Sequence, residues 1–120
     1  MINTQEIIDL NSYIRISTIR EDFEHSCLFV NDYDGIQKID VMLPQNIIFE
    51  TSNLKNRFFE RLQLEDINHT VINCLQSVET FESSMIDAHG MVVFDNVCAC
   101  RNNEILDMVM SYKNKKMLVC

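Results

Sequence analysis

The first third of the chain carries apolar and polar runs that predict a helix followed by two strands. Apolar residues at positions 7, 10 and 14 recur at helical spacing, which predicts a helix over residues 4–15. The run Cys27–Val30 favours a strand, and residues 31–35 suit a turn. Apolar residues at 36, 39, 41 and 43 then give an imperfect period of two. Together these runs predict a β-hairpin over residues 27–43.

The middle of the chain predicts a short strand and an amphipathic helix. Ile47–Phe49 is a candidate third strand, because it is apolar and rich in β-branched residues. Leu54, Phe58 and Leu62 follow at a spacing of four, with charged residues on the other faces, which predicts a helix over 54–64. Residues 67–80 fit either another helix or strand material, since their apolar positions are periodic but β-branched.

The last third predicts a second hairpin and a closing helix. Met91–Phe94 is the strongest strand of the sequence, and the break at Asp87–Gly90 predicts the hairpin turn before it. The run Asn102–Glu104 resembles a helix cap, and the closing helix beyond it has an apolar stripe formed by Ile105, Met108, Val109 and Tyr112. This order predicts one α+β domain over residues 1–120, with an antiparallel β-sheet of about five strands flanked by three or four helices.

The charge of the chain narrows the possible functions. It has 18 acidic and 10 basic residues, a formal net charge of −8 and a pI near 4.7. Such a field repels polyanions, so we expect no nucleic-acid partner. No window is apolar enough to cross a bilayer and the N-terminus is not that of a signal peptide, so we expect a cytoplasmic protein without membrane insertion. Residues 1–100 carry −10 and residues 101–120 carry +2.

The residues that could carry chemistry are few. The chain has five cysteines, an odd number, which predicts reduced thiols packed in the core. Cys98 and Cys100 are too closely spaced for a typical zinc pair, although a metal or redox role stays open. His89 and Asp87 are explained by turn polarity. The polar residues 31–34 lack the rest of a calcium loop. We therefore predict no catalytic, cofactor-binding or metal-binding residue, and no enzyme.

The order of elements resembles the class I chaperones of type III secretion systems. The segments that carry the resemblance are Ile16–Ile19, Ser26–Asp32 and Ile36–Val41, which look like the opening helix and hairpin of that family. Met85–Phe94 looks like its later hairpin, and residues 103–117 look like its closing helix.

The resemblance implies a homodimeric, non-catalytic virulence chaperone. Such a protein binds the N-terminal segment of a secreted effector in the bacterial cytoplasm and keeps it export-competent. The implied partner-binding residues are Leu28, Val30, Ile36 and Ile39, and the implied dimer contact is formed by Leu54, Phe58 and Leu62.

Two other functions stay open at this point. A small acidic immunity protein or inhibitor would neutralise a basic toxin, such as a nuclease, by charge complementarity. A small enzyme would have to use Cys98, Cys100 or His89.

Overall fold

The computed structural model describes residues 21–120. It contains five strands and four helices, and helical residues 21–25 precede the first strand. In chain order the elements are β1 (Leu28–Val30), α1 (Tyr33–Lys38), β2 (Gln45–Phe49), α2 (Ser52–Leu64), β3 (His69–Asn73), α3 (Val78–Asp87), β4 (Met91–Asp95), α4 (Asn103–Ser111) and β5 (Lys116–Val119). The helix predicted over 4–15 lies outside the described residues.

All five strands belong to one parallel sheet with the order β1-β2-β5-β4-β3. The two outer strands, β1 and β3, each pair on one side only within the described part of the chain. In the register, Phe29 stands opposite Ile48, and Val71 stands opposite Val93.

Helices cover both faces of the sheet. α1 and α2 pack on one face, in a first core that includes Ile36, Phe58 and Met117. α3 and α4 pack on the other face, in a second core that includes Phe81 and Phe94. The chain runs from β1 towards the far edge through α1 and α2, and returns from β3 through α3 and α4. Right-handed crossovers require this change of face when the direction reverses.

Aromatic rings pack within both cores. In the first core the rings of Phe49 and Phe58 are 5.4 Å apart. In the second core the ring of Phe94 lies 5.9 Å from that of Phe81 and 5.6 Å from that of Tyr112. These buried rings join helices to the sheet on both faces.

Each of the four helices begins at a side chain that accepts a hydrogen bond from a first-turn amide. The capping residues are Asp32, Thr51, Ser77 and Asn102. Such caps satisfy amides that have no partner within the helix. The predicted helix over 54–64 corresponds to α2, and the predicted cap Asn102 begins α4.

The prediction of an antiparallel sheet is wrong, because both predicted hairpins are parallel strand–helix–strand units. Residues 31–35 do not form a hairpin turn: Asp32 Oδ1 accepts from Gly35 N at 2.7 Å and begins α1. The second hairpin is replaced by α3, after which β4 pairs in parallel with β3. The class is therefore α/β.

Two other segments differ from their predicted structure. Residues 67–80 were predicted to form either one helix or strand material, but they contain both β3 and the start of α3. Lys116, assigned from the sequence to the end of the last helix, begins β5. β5 is the central strand of the sheet, between β2 and β4.

Candidate functional site

Within residues 21–120 no strand pairs with the outer side of β1, which we call the β1 edge and define as Leu28–Val30. Val30 O accepts from Glu50 N at 2.9 Å, so the polar backbone groups of Val30 point towards β2. Successive residues of a strand direct these groups to opposite sides. The N–H and C=O of Phe29 therefore point away from β2, where the described residues provide no neighbouring strand.

The β1 edge is apolar and exposed. The side chain of Phe29 is 57% exposed and that of Leu28 is 42% exposed. Beside Leu28 lies a cavity of about 270 Å³, lined also by Ser26, Pro44, Gln45, Asn46 and Lys116. Edge strands are usually protected by charges, proline or a covering element. Within β1 itself, none of the three residues is charged or proline.

Further exposed apolar side chains lie just beyond β1. Among the described residues, ten large apolar side chains are exposed, and five of them fall in the segment 28–43. Beside Leu28 and Phe29 these are Tyr33, Met42 and Leu43. Apolar exposure is thus concentrated in the segment that contains and follows β1.

The same part of the chain is strongly acidic. Residues 21–50 contain seven carboxylates and one lysine, a formal net charge of −6 with histidine neutral. All seven carboxylate side chains are exposed: Glu21, Asp22, Glu24, Asp32, Asp34, Asp40 and Glu50. This quarter of the sequence therefore carries most of the net charge of −8.

The residues predicted to bind a partner occupy different environments. Leu28 lies on the surface at the β1 edge, whereas Val30, Ile36 and Ile39 are buried in the first core. Phe29 was not among the predicted residues. No signal in the sequence distinguished it, because all three residues of β1 are apolar.

The residues predicted to form a dimer contact also lie in the first core. Leu54, Phe58 and Leu62 form the inward face of α2 and pack against the sheet of their own chain. Their amphipathic spacing is accounted for by this packing within one chain.

A second cluster lies at the carboxyl end of the sheet, and we call Lys55, Asn73, Asp95 and Asn96 the carboxyl-edge cluster. Lys55 Nζ lies 2.9 Å from Asp95 Oδ1 and 3.3 Å from Asn96 Oδ1, and Asn96 Nδ2 donates to Asn73 Oδ1 at 2.9 Å. The cluster ties α2 to the ends of β3 and β4.

The carboxyl-edge cluster stands where the connections of the sheet diverge to its two faces. In open α/β sheets this is the common place for a ligand. Here the charge of Lys55 is already paired, and the neighbouring cavity of about 150 Å³ is smaller than the roughly 300 Å³ typical of a ligand site. The arrangement therefore supports a structural tie.

The cysteines divide into one disulfide and three thiols. Cys98 and Cys120 are joined by a disulfide, which corrects the prediction that all five are reduced. Cys27, Cys74 and Cys100 lie outside the disulfide. Burial raises the pKa of Cys74 to about 12, with smaller contributions from Cys100 and Asp95. Cys74 is therefore a protonated, unreactive thiol near neutral pH.

The histidines of the described chain bind neighbouring polar groups. His89 Nδ1 lies 2.7 Å from Asn68 Oδ1, and His69 Nδ1 lies 2.6 Å from the carbonyl oxygen of Ile67. Across residues 21–120, no group of three or more His, Cys, Asp or Glu side chains is arranged to hold a metal ion. Over the same residues no helix has the length and apolar character needed to span a membrane.

Comparisons of the chain with known protein families, curated proteins and solved structures find no match. A functional proposal must therefore be argued from the chain's own residues.

Proposed function

We propose that the protein binds another protein by taking up an extended, positively charged segment as an added strand at the β1 edge. The observation that carries this proposal is the open edge itself, with Phe29 exposed and its backbone groups directed outward. Strand addition supplies main-chain hydrogen bonds, while pockets for alternate side chains supply selectivity.

The charge around β1 supports a cationic segment as the occupant. Seven exposed carboxylates in residues 21–50 attract lysine and arginine side chains and repel acidic ones. Lys116, which also lines the cavity, directs its ammonium to the carbonyl oxygens of Val109 and Tyr112. The partner's charged residues would face solvent-exposed acids, while its apolar residues contact Leu28 and Phe29.

This proposal is compatible with a secretion chaperone that holds the N-terminal segment of an effector. The resemblance to type III chaperones was based on two hairpins, and the parallel sheet contains neither. The chaperone function therefore stays a proposal supported by the open edge alone. An immunity protein would instead cover the folded basic surface of a toxin, for which a strand edge is not needed.

The test uses a fluorescein-labelled peptide of alternating valine and lysine, with binding followed by fluorescence anisotropy. We expect saturable binding that weakens as salt rises, because exposed charges are screened. A peptide with proline at alternate positions should bind at least about tenfold more weakly, which is about 1.4 kcal/mol, since it cannot form the ladder. A peptide of alternating valine and glutamate should not bind.

Two matched variants locate the binding site. Phe29→Lys places a charge on the β1 edge and should weaken binding at least about tenfold. Val71→Lys places the same charge on β3, the opposite edge strand, where Val71 is 42% exposed, and should leave binding unchanged. Equal binding of the proline-substituted peptide, or equal binding by Phe29→Lys, would exclude strand addition at β1.

A further inference from the structure

The disulfide joins two segments at the carboxyl end of the sheet. Cys98 lies in the connection 96–102 between β4 and α4, and Cys120 directly follows β5. Their Cα atoms are 5.6 Å apart and 22 positions separate them in the sequence. Both cysteines are partly exposed, whereas Cys74 and Cys100 are buried. The bond is therefore within reach of a reductant in solution, and those two thiols are not.

Apart from this bond, hydrogen bonds and buried side chains hold the connection 96–102. Val97 N donates to Val119 O at 3.2 Å, and the side chains of Val97 and Cys100 are buried in the second core. The bonds from Ala99 N to Asn96 O and from Cys100 N to Val97 O are turns within the connection. Asn96, at the start of the connection, is held by Lys55 and Asn73, and the disulfide is the covalent link between the connection and the residue after β5.

The bond also adjoins the carboxyl-edge cluster. Cys120 lines the cavity of about 150 Å³ together with Glu50, Thr51 and Lys55. Asn96, which begins the connection, accepts from Lys55 Nζ. The disulfide therefore adjoins this cavity through Cys120, and the connection reaches Lys55 through Asn96.

We propose that the Cys98–Cys120 bond is a reducible clasp: oxidised, it holds the connection 96–102 against β5, and reduced by a dithiol, it releases the connection. A thiolate of the dithiol attacks one cysteine sulfur, the S–S bond breaks, and the other cysteine leaves as a thiolate and takes up a proton. The second thiol of the reductant then attacks the mixed disulfide. The dithiol is oxidised to a disulfide, and the protein gains two electrons and two protons. The clasp is independent of strand capture at β1.

The test compares the full chain before and after treatment with dithiothreitol in native buffer. Alkylation with iodoacetamide and peptide mass spectrometry should label Cys98 and Cys120 only after reduction, with Cys74 and Cys100 unlabelled in both states. Hydrogen exchange at the amides of Val97 and Cys120 should accelerate at least about tenfold on reduction. The amides of Ile72 and Phe94, in the neighbouring strands, should keep their rates.

Variants distinguish local release of the connection 96–102 from a loss of stability of the whole fold. Cys98→Ser and Cys120→Ser should each show the fast exchange without reductant, and dithiothreitol should not change it further. Cys27→Ser, which alters a partly exposed thiol outside the bond, should keep the full response. Unchanged exchange at Val97 and Cys120 on reduction would refute the clasp, as would acceleration of all amides together or absence of the bond from the air-oxidised protein.

Discussion

Replacing Phe58 by alanine separates the two roles considered for the apolar face of α2. Phe58 has no exposed surface, and its ring packs 5.4 Å from that of Phe49 in the first core. Truncating a buried phenylalanine to alanine costs about 3–5 kcal/mol, since it removes apolar burial and leaves a cavity. Domains are stable by about 5–15 kcal/mol, so we expect Phe58→Ala to lose a large share of the free energy of unfolding.

Urea denaturation followed by circular dichroism measures this loss. The experiment is run at two protein concentrations that differ by about fiftyfold. If α2 packs within one chain, the free energy of unfolding should be the same at both concentrations. If Phe58 were a contact of an obligate dimer, the apparent stability would rise by about 2.3 kcal/mol at the higher concentration, which is RT times the logarithm of the ratio.

The controls use the same helix. Leu64 is 85% exposed, so Leu64→Ala should change stability by less than about 0.5 kcal/mol. Phe58→Leu keeps most of the apolar volume and serves if the alanine variant fails to fold. A loss below about 1 kcal/mol for Phe58→Ala would refute the burial argument. If the stability of the wild-type protein depended on concentration and Phe58→Leu removed that dependence, Phe58 would be a dimer contact after all.

Three further predictions concern other parts of the molecule. Lys55→Met should lower the free energy of unfolding by about 1–3 kcal/mol, because the carboxylate of Asp95, which is 14% exposed, is left without its cation. In a double-mutant cycle, the variant that combines Lys55→Met with Asp95→Asn should lose less free energy of unfolding than Lys55→Met alone. Because the pKa of Cys74 is about 12 in the folded chain and about 9 as a model thiol, stability should fall as pH rises from 9 to 12, and Cys74→Ala should reduce that slope in urea titrations. Gly90→Ala should lower the melting temperature, since Gly90 has φ of 66° and an added Cβ would clash with the carbonyl oxygen of Asn68.

Two of the four described helices, α2 and α4, were predictable because their signals are local, whereas α1 and the greater part of α3 were taken for hairpin segments. The i, i+4 spacing of Leu54, Phe58 and Leu62 predicted α2, and those three side chains are its buried face. The run Asn102–Glu104 predicted the start of α4, where Asn102 Oδ1 accepts hydrogen bonds from the amides of Glu104 and Ile105. Both signals depend only on residues within one or two turns of each other.

The pairing of the strands was not predictable in the same way, because the sequence of a strand does not indicate which other strand it will pair with. Residues 31–35 have turn-forming side chains, but Asp32 uses its carboxylate to cap a helix. Met91–Phe94 contained a sign of the parallel sheet: all four residues are apolar, and all four are buried. An unbroken apolar run is typical of a strand covered on both faces, whereas an antiparallel strand with one solvated face alternates.

The candidate site depends on which strand is the outermost strand of the sheet. Leu28, Phe29 and Val30 are all apolar, so their sequence alone does not tell which of them is exposed. The position of β1 beside β2 decides it, and that position follows from crossovers spread over the whole chain. The acidity of residues 21–50, by contrast, is visible in the sequence without any fold.

The β1 edge and the disulfide are connected through β2. β2 pairs with β1 on one side and with β5 on the other. Ile47 O accepts from Cys120 N at 3.0 Å, and Ile47 stands opposite Leu28 in the register. If reduction of the clasp changes the affinity of the β1 edge for a cationic strand, linkage requires that bound peptide change the reduction equilibrium by the same factor. Because the clasp is independent of strand capture, we expect both factors, measured on one protein, to be one; a shared factor other than one would show that the two sites are coupled.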